Sequence, residues 1–414
     1  VTIFGTEIES NTATSGQPSQ WNRTTGGGSY IIEQFEAAVT AKIGSPYSLT
    51  AHRVYSFLED SIFLNTHTFD VQNDIDAGRI MAYSHKQTSG TTWAQVGAAT
   101  SGSIYTNIVN RGNQFAQVLS ANPNLDIWWS FFHEPNGNET TSGTSGSTNS
   151  ATGINNWHAA LQNIWTIWTT ICGVPVYAGL QDGTVTSHGM LLAGPNLAGP
   201  AQYSSTGSTG MSAADHLLWY GTPDGAGGTV ARPWFWQNVQ MVPIDTYPGS
   251  DGGGAVYRVF PEDFLGGTAG TGFPDGLADW LPARIVAQNA LGRVCYPSLW
   301  EFGFLERDAL DTVSGSPSFN TNSPRWSISG LAPTRPNLFA LAADYLVQPN
   351  WGGYPFHSVL YWDDMKSPNG SRGPWPPDTT LASWNAYVDF IVEIEGGTVT
   401  PPPSVSAGVG AILG

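Results

Sequence analysis

Short apolar runs alternate along this chain with longer segments in which apolar residues recur every three to four positions. Eight of the runs read as buried strands: Thr2-Gly5, Ala51-Leu58, Arg79-His85, Asp126-Glu134, Val174-Gln181, Val239-Tyr247, Tyr296-Phe302 and Ser358-Asp363. Helical spacing is clearest at Ile154, Trp157, Leu161, Ile164, Trp165, Trp168 and Ile171, and it recurs over residues 31–43, 104–119, 280–291, 338–347 and 381–395. A strand that is apolar on both faces needs cover on both sides, and helices alternating with parallel strands supply it. Eight strands with intervening helices predict an α/β fold, a closed (β/α)8 barrel of the TIM type.

Two stretches, 138–153 and 251–276, are long, rich in Gly, Ser and Thr, and each comes after a strand end. In such a barrel they would rise from the face at which the strands end, the face that carries the binding loops. Residues 1–395 are expected to form this single domain. Residues 396–414 open with Gly396-Gly397-Thr398-Val399-Thr400-Pro401-Pro402-Pro403, a linker-like composition, and are expected to lead to a further domain or a larger assembly. Val1 in place of Met likewise suggests a longer parent polypeptide.

Composition narrows the partners. Only 11% of the 414 residues are charged, the formal net charge is −17, and the 15 Lys and Arg form no cluster, which argues against nucleic acid or an anionic membrane. No stretch reaches the roughly 18 apolar residues of a membrane-spanning helix. Seventeen Trp, 15 Tyr and 18 Phe suit stacking on sugar rings, although most aromatics in any protein are core. Cys172 and Cys295 precede strands that are not neighbours in the predicted barrel, so two free thiols are expected.

The chemistry is signalled where two apolar runs end in a glutamate. Asp126-Ile127-Trp128-Trp129-Ser130-Phe131-Phe132 runs into His133-Glu134-Pro135-Asn136-Gly137, and Pro297-Ser298-Leu299-Trp300 runs into Glu301-Phe302-Gly303. In a parallel barrel both carboxylates fall on the active face. Hydrolysis of a glycosidic bond with retention needs one carboxylic acid to protonate the leaving oxygen and one carboxylate to attack the anomeric carbon, about 5–5.5 Å apart. The first must keep its proton near neutral pH and the second must stay ionised. Phe132 and Trp300 fit the partly dry surroundings this requires.

At these residues the chain resembles glycoside hydrolase family 26 and related (β/α)8 domains of the same clan. His133-Glu134-Pro135-Asn136-Gly137 is similar to the family's His-Glu-x-Asn-Gly, residues 239–247 to a strand-six pattern ending Asp-x-Tyr, Trp300-Glu301-Phe302-Gly303 to strand seven and Leu360-Tyr361-Trp362 to strand eight. The resemblance implies Glu134 as general acid/base and Glu301 as nucleophile. It also implies that Tyr247 hydrogen-bonds the nucleophile, that His133, Asn136 and Trp300 contribute to substrate binding, and that Trp362 forms the floor under the sugar. Where mannan-cleaving members show Arg-Pro-x-His-Glu, this chain has Ser130-Phe131-Phe132-His133-Glu134, and Pro135 is shared with actinobacterial and phage-borne relatives. Mannan is thus a first guess only.

No other chemistry is signalled. The eight histidines show no His-x-x-x-His spacing, Cys-x-x-Cys is absent, and there is no nucleotide-binding glycine motif, so neither a metal nor a cofactor is expected. Asp70, Asp74 and Asp76 read as a solvated turn. The expectation is a retaining endo-acting glycoside hydrolase acting on a polysaccharide outside the cell, secreted or on a cell or virion surface. Its rival is a glycan-binding or structural barrel without turnover in a larger surface assembly such as a phage tail.

Overall fold

A computed structural model of the chain describes residues 2–8, 29–59, 68–87, 90–133, 135, 150–179, 184–198, 213–246, 258–259, 277–292, 295–302, 326–327, 335–349, 355–363 and 381–396. Eight strands run parallel: β1 Ile3–Ile8, β2 Ala51–Phe57, β3 Ile80–Lys86, β4 Ile127–Phe131, β5 Met190–Leu192, β6 Met241–Thr246, β7 Tyr296–Phe302 and β8 Ser358–Asp363. Around the sheet they lie in the order β5, β4, β3, β2, β1, β8, β7, β6. The ring closes where Ala193 bridges Met241: Gln240 N–H donates to Leu192 O at 2.9 Å and Gly194 N–H to Met241 O at 2.8 Å. Leu197–Ala198 then resumes the pairing with β6. The expected (β/α)8 barrel is the fold, and closure removes the sheet edges.

The helices are α1 Ser29–Ile43, α2 Thr68–Ala77, α3 Trp93–Gly97, α4 Gly102–Ala121, α5 Ala151–Thr166, α6 Ala213–Tyr220, α7 Pro233–Asn238, α8 Leu277–Ala290, α9 Arg335–Val347 and α10 Leu381–Ile394. None of the described helices is long and apolar enough to cross a membrane. Tryptophans of α5 and of the turn Ile167–Ile171 that follows it fasten both to the barrel. Trp168 lies 4.5 Å from Trp129 of β4 between ring centroids, and Trp157 Nε1 donates to Phe131 O at 3.1 Å. Trp129 Nε1 donates to Nδ1 of His85 at 2.8 Å, and because an indole only donates, that imidazole is neutral with its proton on Nε2. Burial and the nearby Arg111 lower the His85 pKa further. These rings are core, and the hope that composition marks sugar platforms does not extend to them.

Two expectations are corrected. The fifth strand was expected at Val174-Gln181, but Met190–Leu192 takes that place beside β4, while Ala178–Gly179 pairs antiparallel with Val185–Ser187 in a hairpin before it. Val174 and Tyr177 are apolar because they pack under the barrel, Tyr177 against its interior cluster. The true strand is too short to stand out by pattern. Asp74, read as part of a solvated turn, sits in α2 and is fully buried. It accepts from Arg79 Nη1 at 3.4 Å and pairs with His52 Nδ1 at 2.7 Å, while Arg79 Nη2 reaches Glu36 of α1 at 2.7 Å. A buried carboxylate without such partners would be strongly destabilising. The cysteines are free as expected, with the Cys295 thiol pushed up to about 12 by burial.

The barrel interior is a cluster of Ala51, Ala82, Trp128, Tyr177, Leu191, Ala193, Met241, Trp300 and Leu360, with Ile3 and Ile80 against it. Large rings fit because small residues face them. A Cβ on Gly5 would stand 2.8 Å from Ala51 O, so strand one must be bare at that level.

Two glutamates at the end of α10 tie stability to pH. Burial raises Glu395 to about 7, against a hydrogen bond from Thr50 Oγ1 at 2.9 Å that lowers it. Glu393 also rises to about 7, through burial first and then the neighbouring Asp344 and Asp389. Both pKa values are raised in the folded state, so their stabilising contribution is complete below the ordinary carboxylate value and is lost as pH rises through about 7. The urea midpoint is therefore expected to fall between pH 5 and pH 8, and Glu395→Gln should reduce that fall. An equal fall in the variant would remove Glu395 as a cause.

Candidate active site

Parallel closure puts the ends of β4 and β7 on one rim. The expected residues Glu134, Asn136 and Tyr247 lie outside the described residues. Glu301 is the sixth residue of β7, paired with Asp245, and Trp362 the fifth of β8, paired with Glu7; their side chains are likewise outside the description. His133 and Trp300 are described fully, and they lie at opposite ends of one stack of side chains.

That stack crosses the barrel. The Trp300 ring of β7 lies 4.5 Å from the Arg53 guanidinium carbon, which in turn lies 4.7 Å from the Tyr55 ring centroid. His133 is stacked on Tyr55 with centroids 4.9 Å apart and planes at 24°. Arg53 is 2% exposed, and its Nη1 donates to Ala82 O at 3.2 Å and its Nη2 to Ser84 Oγ at 2.8 Å. Two aromatic faces and two acceptors compensate a cation that burial alone would make costly. Small Ala82 and Ser84 on β3 leave the room through which β2 side chains reach His133, beyond the end of β4.

The expectation that Trp300 contacts substrate is not met. Its ring is wholly buried and its indole N–H donates to Met241 Sδ at 3.1 Å, so it offers no face to a sugar and instead supports Arg53 from beneath. His133 keeps partial exposure at the rim, and its backbone bridges Asn196.

Both strand ends depart from regular backbone. Phe132, two residues before Glu134, has φ of 67°, the one non-glycine with positive φ among the described residues. A left-handed conformation costs an L-residue roughly 1–2 kcal/mol, and such strain persists only where packing enforces it. Here Phe132 N–H donates to His85 O at 2.7 Å, the ring meets Trp93 edge-on at 5.4 Å, and Lys86 Nζ lies 5.2 Å from the ring centroid. Helix α3, which carries Trp93, is itself fixed by a capping box between Thr92 and Gln95. In β7 the register to β6 runs from Leu299 opposite Ile244 to Glu301 opposite Asp245, leaving Trp300 as the extra residue of a bulge. A bulge breaks strict alternation and re-aims the next residue, and bulges gather beside active sites.

Sequence reasoning missed Arg53, Tyr55 and the strain at Phe132. An arginine inside the predicted buried strand Ala51-Leu58 was a legible signal for the first, since a buried charge needs a purpose. No sequence pattern marks a phenylalanine with positive φ.

No family model matches the chain, and no curated protein does. Solved structures resemble it in chain course. The YdhT protein from Bacillus subtilis is 11% identical, with 92% of this chain and 87% of that one covered at a TM-score of 0.43. The catalytic domain of CelCCA is 11% identical, with 95% and 91% covered at 0.46. A GH5-4 broad specificity endoglucanase from Ruminococcus flavefaciens is 13% identical, with 94% and 95% covered at 0.44. Likenesses this distant say nothing about the bond cleaved, and the reading of the site rests on its own residues.

The strain at Phe132 can be tested without any substrate. In ordinary backbone Gly is less stable than Ala by roughly 0.5–1 kcal/mol, but at φ of 67° Gly escapes the left-handed cost. Both Phe132→Ala and Phe132→Gly should lose roughly 3–5 kcal/mol of packing in urea unfolding. The Gly variant should be the more stable of the two by about 1 kcal/mol. The reverse order would show that the backbone is not held left-handed in solution.

Proposed function

We propose that the chain is a retaining, endo-acting glycoside hydrolase of the clan that includes family 26, cleaving a β-linked polysaccharide outside the cell, with mannan as first substrate to try. The observation that carries this reading is the coincidence of two backbone irregularities with the two candidate glutamates. Phe132 is strained just before Glu134, and the β7 bulge falls directly before Glu301. Strain and bulges stabilise nothing by themselves, and a barrel rim that keeps both has a use for aiming the glutamates beside them.

In this reading Glu134 delivers its proton to the glycosidic oxygen while Glu301 attacks the anomeric carbon, so that the bond to the leaving sugar breaks as a glycosyl ester forms. Water then attacks the anomeric carbon of that ester, Glu134 now taking its proton, and Glu301 leaves as carboxylate. The roles need opposite tuning. Tyr247, Asn136 and Trp362 complete the cleft in this reading, with His133 beside the acid.

Reducing-end release from mannans, glucans, xylans and bacterial wall polysaccharides tests the proposal. Release from at least one is expected, and Glu301→Gln should abolish it. Glu134→Gln should lose about 10²–10⁴-fold on polysaccharide yet keep the first step on aryl glycosides, whose leaving groups need no proton, with rescue by azide. Glycan binding with no release from any polysaccharide would favour an inert binding module. Release that survives Glu301→Gln would refute the site.

A further inference from the structure

We propose that Phe57 is a sugar-stacking platform on the β2 side of the barrel mouth, a subsite remote from the cleavage point that takes the apolar face of a pyranose ring. It rests on the reading of the mouth as a glycan cleft. Among the described residues the large exposed apolar side chains are Phe57, Ile171, Val176, Val185, Val286 and Leu291. Ile171 ends the turn after α5, Val286 and Leu291 belong to α8 and its end, and Val176 precedes, and Val185 belongs to, the hairpin before β5. All five lie on the outer helices or at the end of the barrel where strands begin. Phe57 alone of the six is aromatic, and it alone stands where a strand ends, 44% exposed.

Its place on the strand gives the ring a direction. Arg53 and Tyr55 face into the barrel while Val54 joins the outer core, so the period of two makes Phe57 the next position on the inner face, one layer above the Tyr55 and His133 stack. The backbone beneath it is held firmly. Phe57 pairs with Lys86, Leu58 N–H donates to Lys86 O at 2.8 Å, and Arg111 Nη2 donates to Phe57 O at 2.8 Å. Arg111 is 1% exposed, so a buried cation is committed to fixing the carbonyl of an exposed ring. An aromatic ring held this way loses little freedom on binding and presents a flat apolar face at the edge of a wet cleft, which is what the C–H face of a pyranose needs.

The test uses the full chain carrying Glu301→Gln, so that bound oligosaccharide is not consumed, and calorimetric titration with tri- and hexasaccharides of the manno, cello and xylo series. At least one hexasaccharide should bind, Phe57→Ala should raise its Kd about tenfold, and Phe57→Trp should restore it. The trisaccharide of that series should lose less affinity than the hexasaccharide, because fewer of its rings can reach Phe57 from the cleavage point. Unchanged hexasaccharide affinity in Phe57→Ala would overturn the platform while leaving the cleft standing. Equal losses for the two lengths would overturn its remoteness, and no binding of any oligosaccharide to the unsubstituted mouth would overturn the cleft and the platform together.

Discussion

The volume inside an eight-stranded barrel is the constraint on which the rest of this molecule depends. Eight strands enclose just enough space for side chains to fill, so each large inward residue requires a small one opposite. Trp128 and Trp300 occupy the interior, and Gly5, Ala51, Ala82 and Ala193 yield the space. Ser84 on β3 completes the arrangement by being both small and an acceptor, which lets Arg53 lie across the lumen with a partner at its tip. That one fit produces the stack to Tyr55 and His133, the burial of Trp300, and the height at which packing stops and the mouth begins.

Above that height the backbone carries the design. Strand four and strand seven could have ended as regular strands, with alternate residues facing in and out. Each instead breaks its period, by a left-handed phenylalanine in one and an extra residue in the other. The break in strand four is held by an enclosing set of contacts, with Trp93, Lys86 and the His85 carbonyl each fixing a different part of Phe132. Rigid elements, not loops, thereby hold the backbone at each break, the placement that lets a functional site keep its geometry.

Seven of the eight strands were legible in the sequence because apolar runs bounded by turn residues are what a doubly covered strand must be. The eighth was misplaced for a physical reason: Val174-Tyr177 is apolar by packing beneath the barrel, whereas Met190–Leu192 is only three residues long. The same limit applies to Asp74, whose burial depends on His52 and Arg79 arriving from separate elements, a fact no local pattern contains. The strand-end glutamates stand out in the sequence because a retaining glycosidase needs two carboxylates at such places. Trp300 was misread because a ring next to a candidate nucleophile can face sugar or core, and the bulge that decides the matter is a property of register.

The use made of arginine connects these levels. In a chain where 11% of residues are charged, Arg53, Arg79, Arg111 and Arg232 are all buried. Three of them donate to main-chain carbonyls, of Ala82, Phe57 and Leu218, and burial lowers Arg232 to about 10. Such donors bind strands and loops to one another where exposed ion pairs would contribute little and would weaken in salt. With these four cations buried, the surface keeps the acidic excess of a chain whose formal net charge is −17. Arg53 and Arg111 hold the geometry of the mouth from within, so changing ionic strength should disturb that geometry far less than removing either of them.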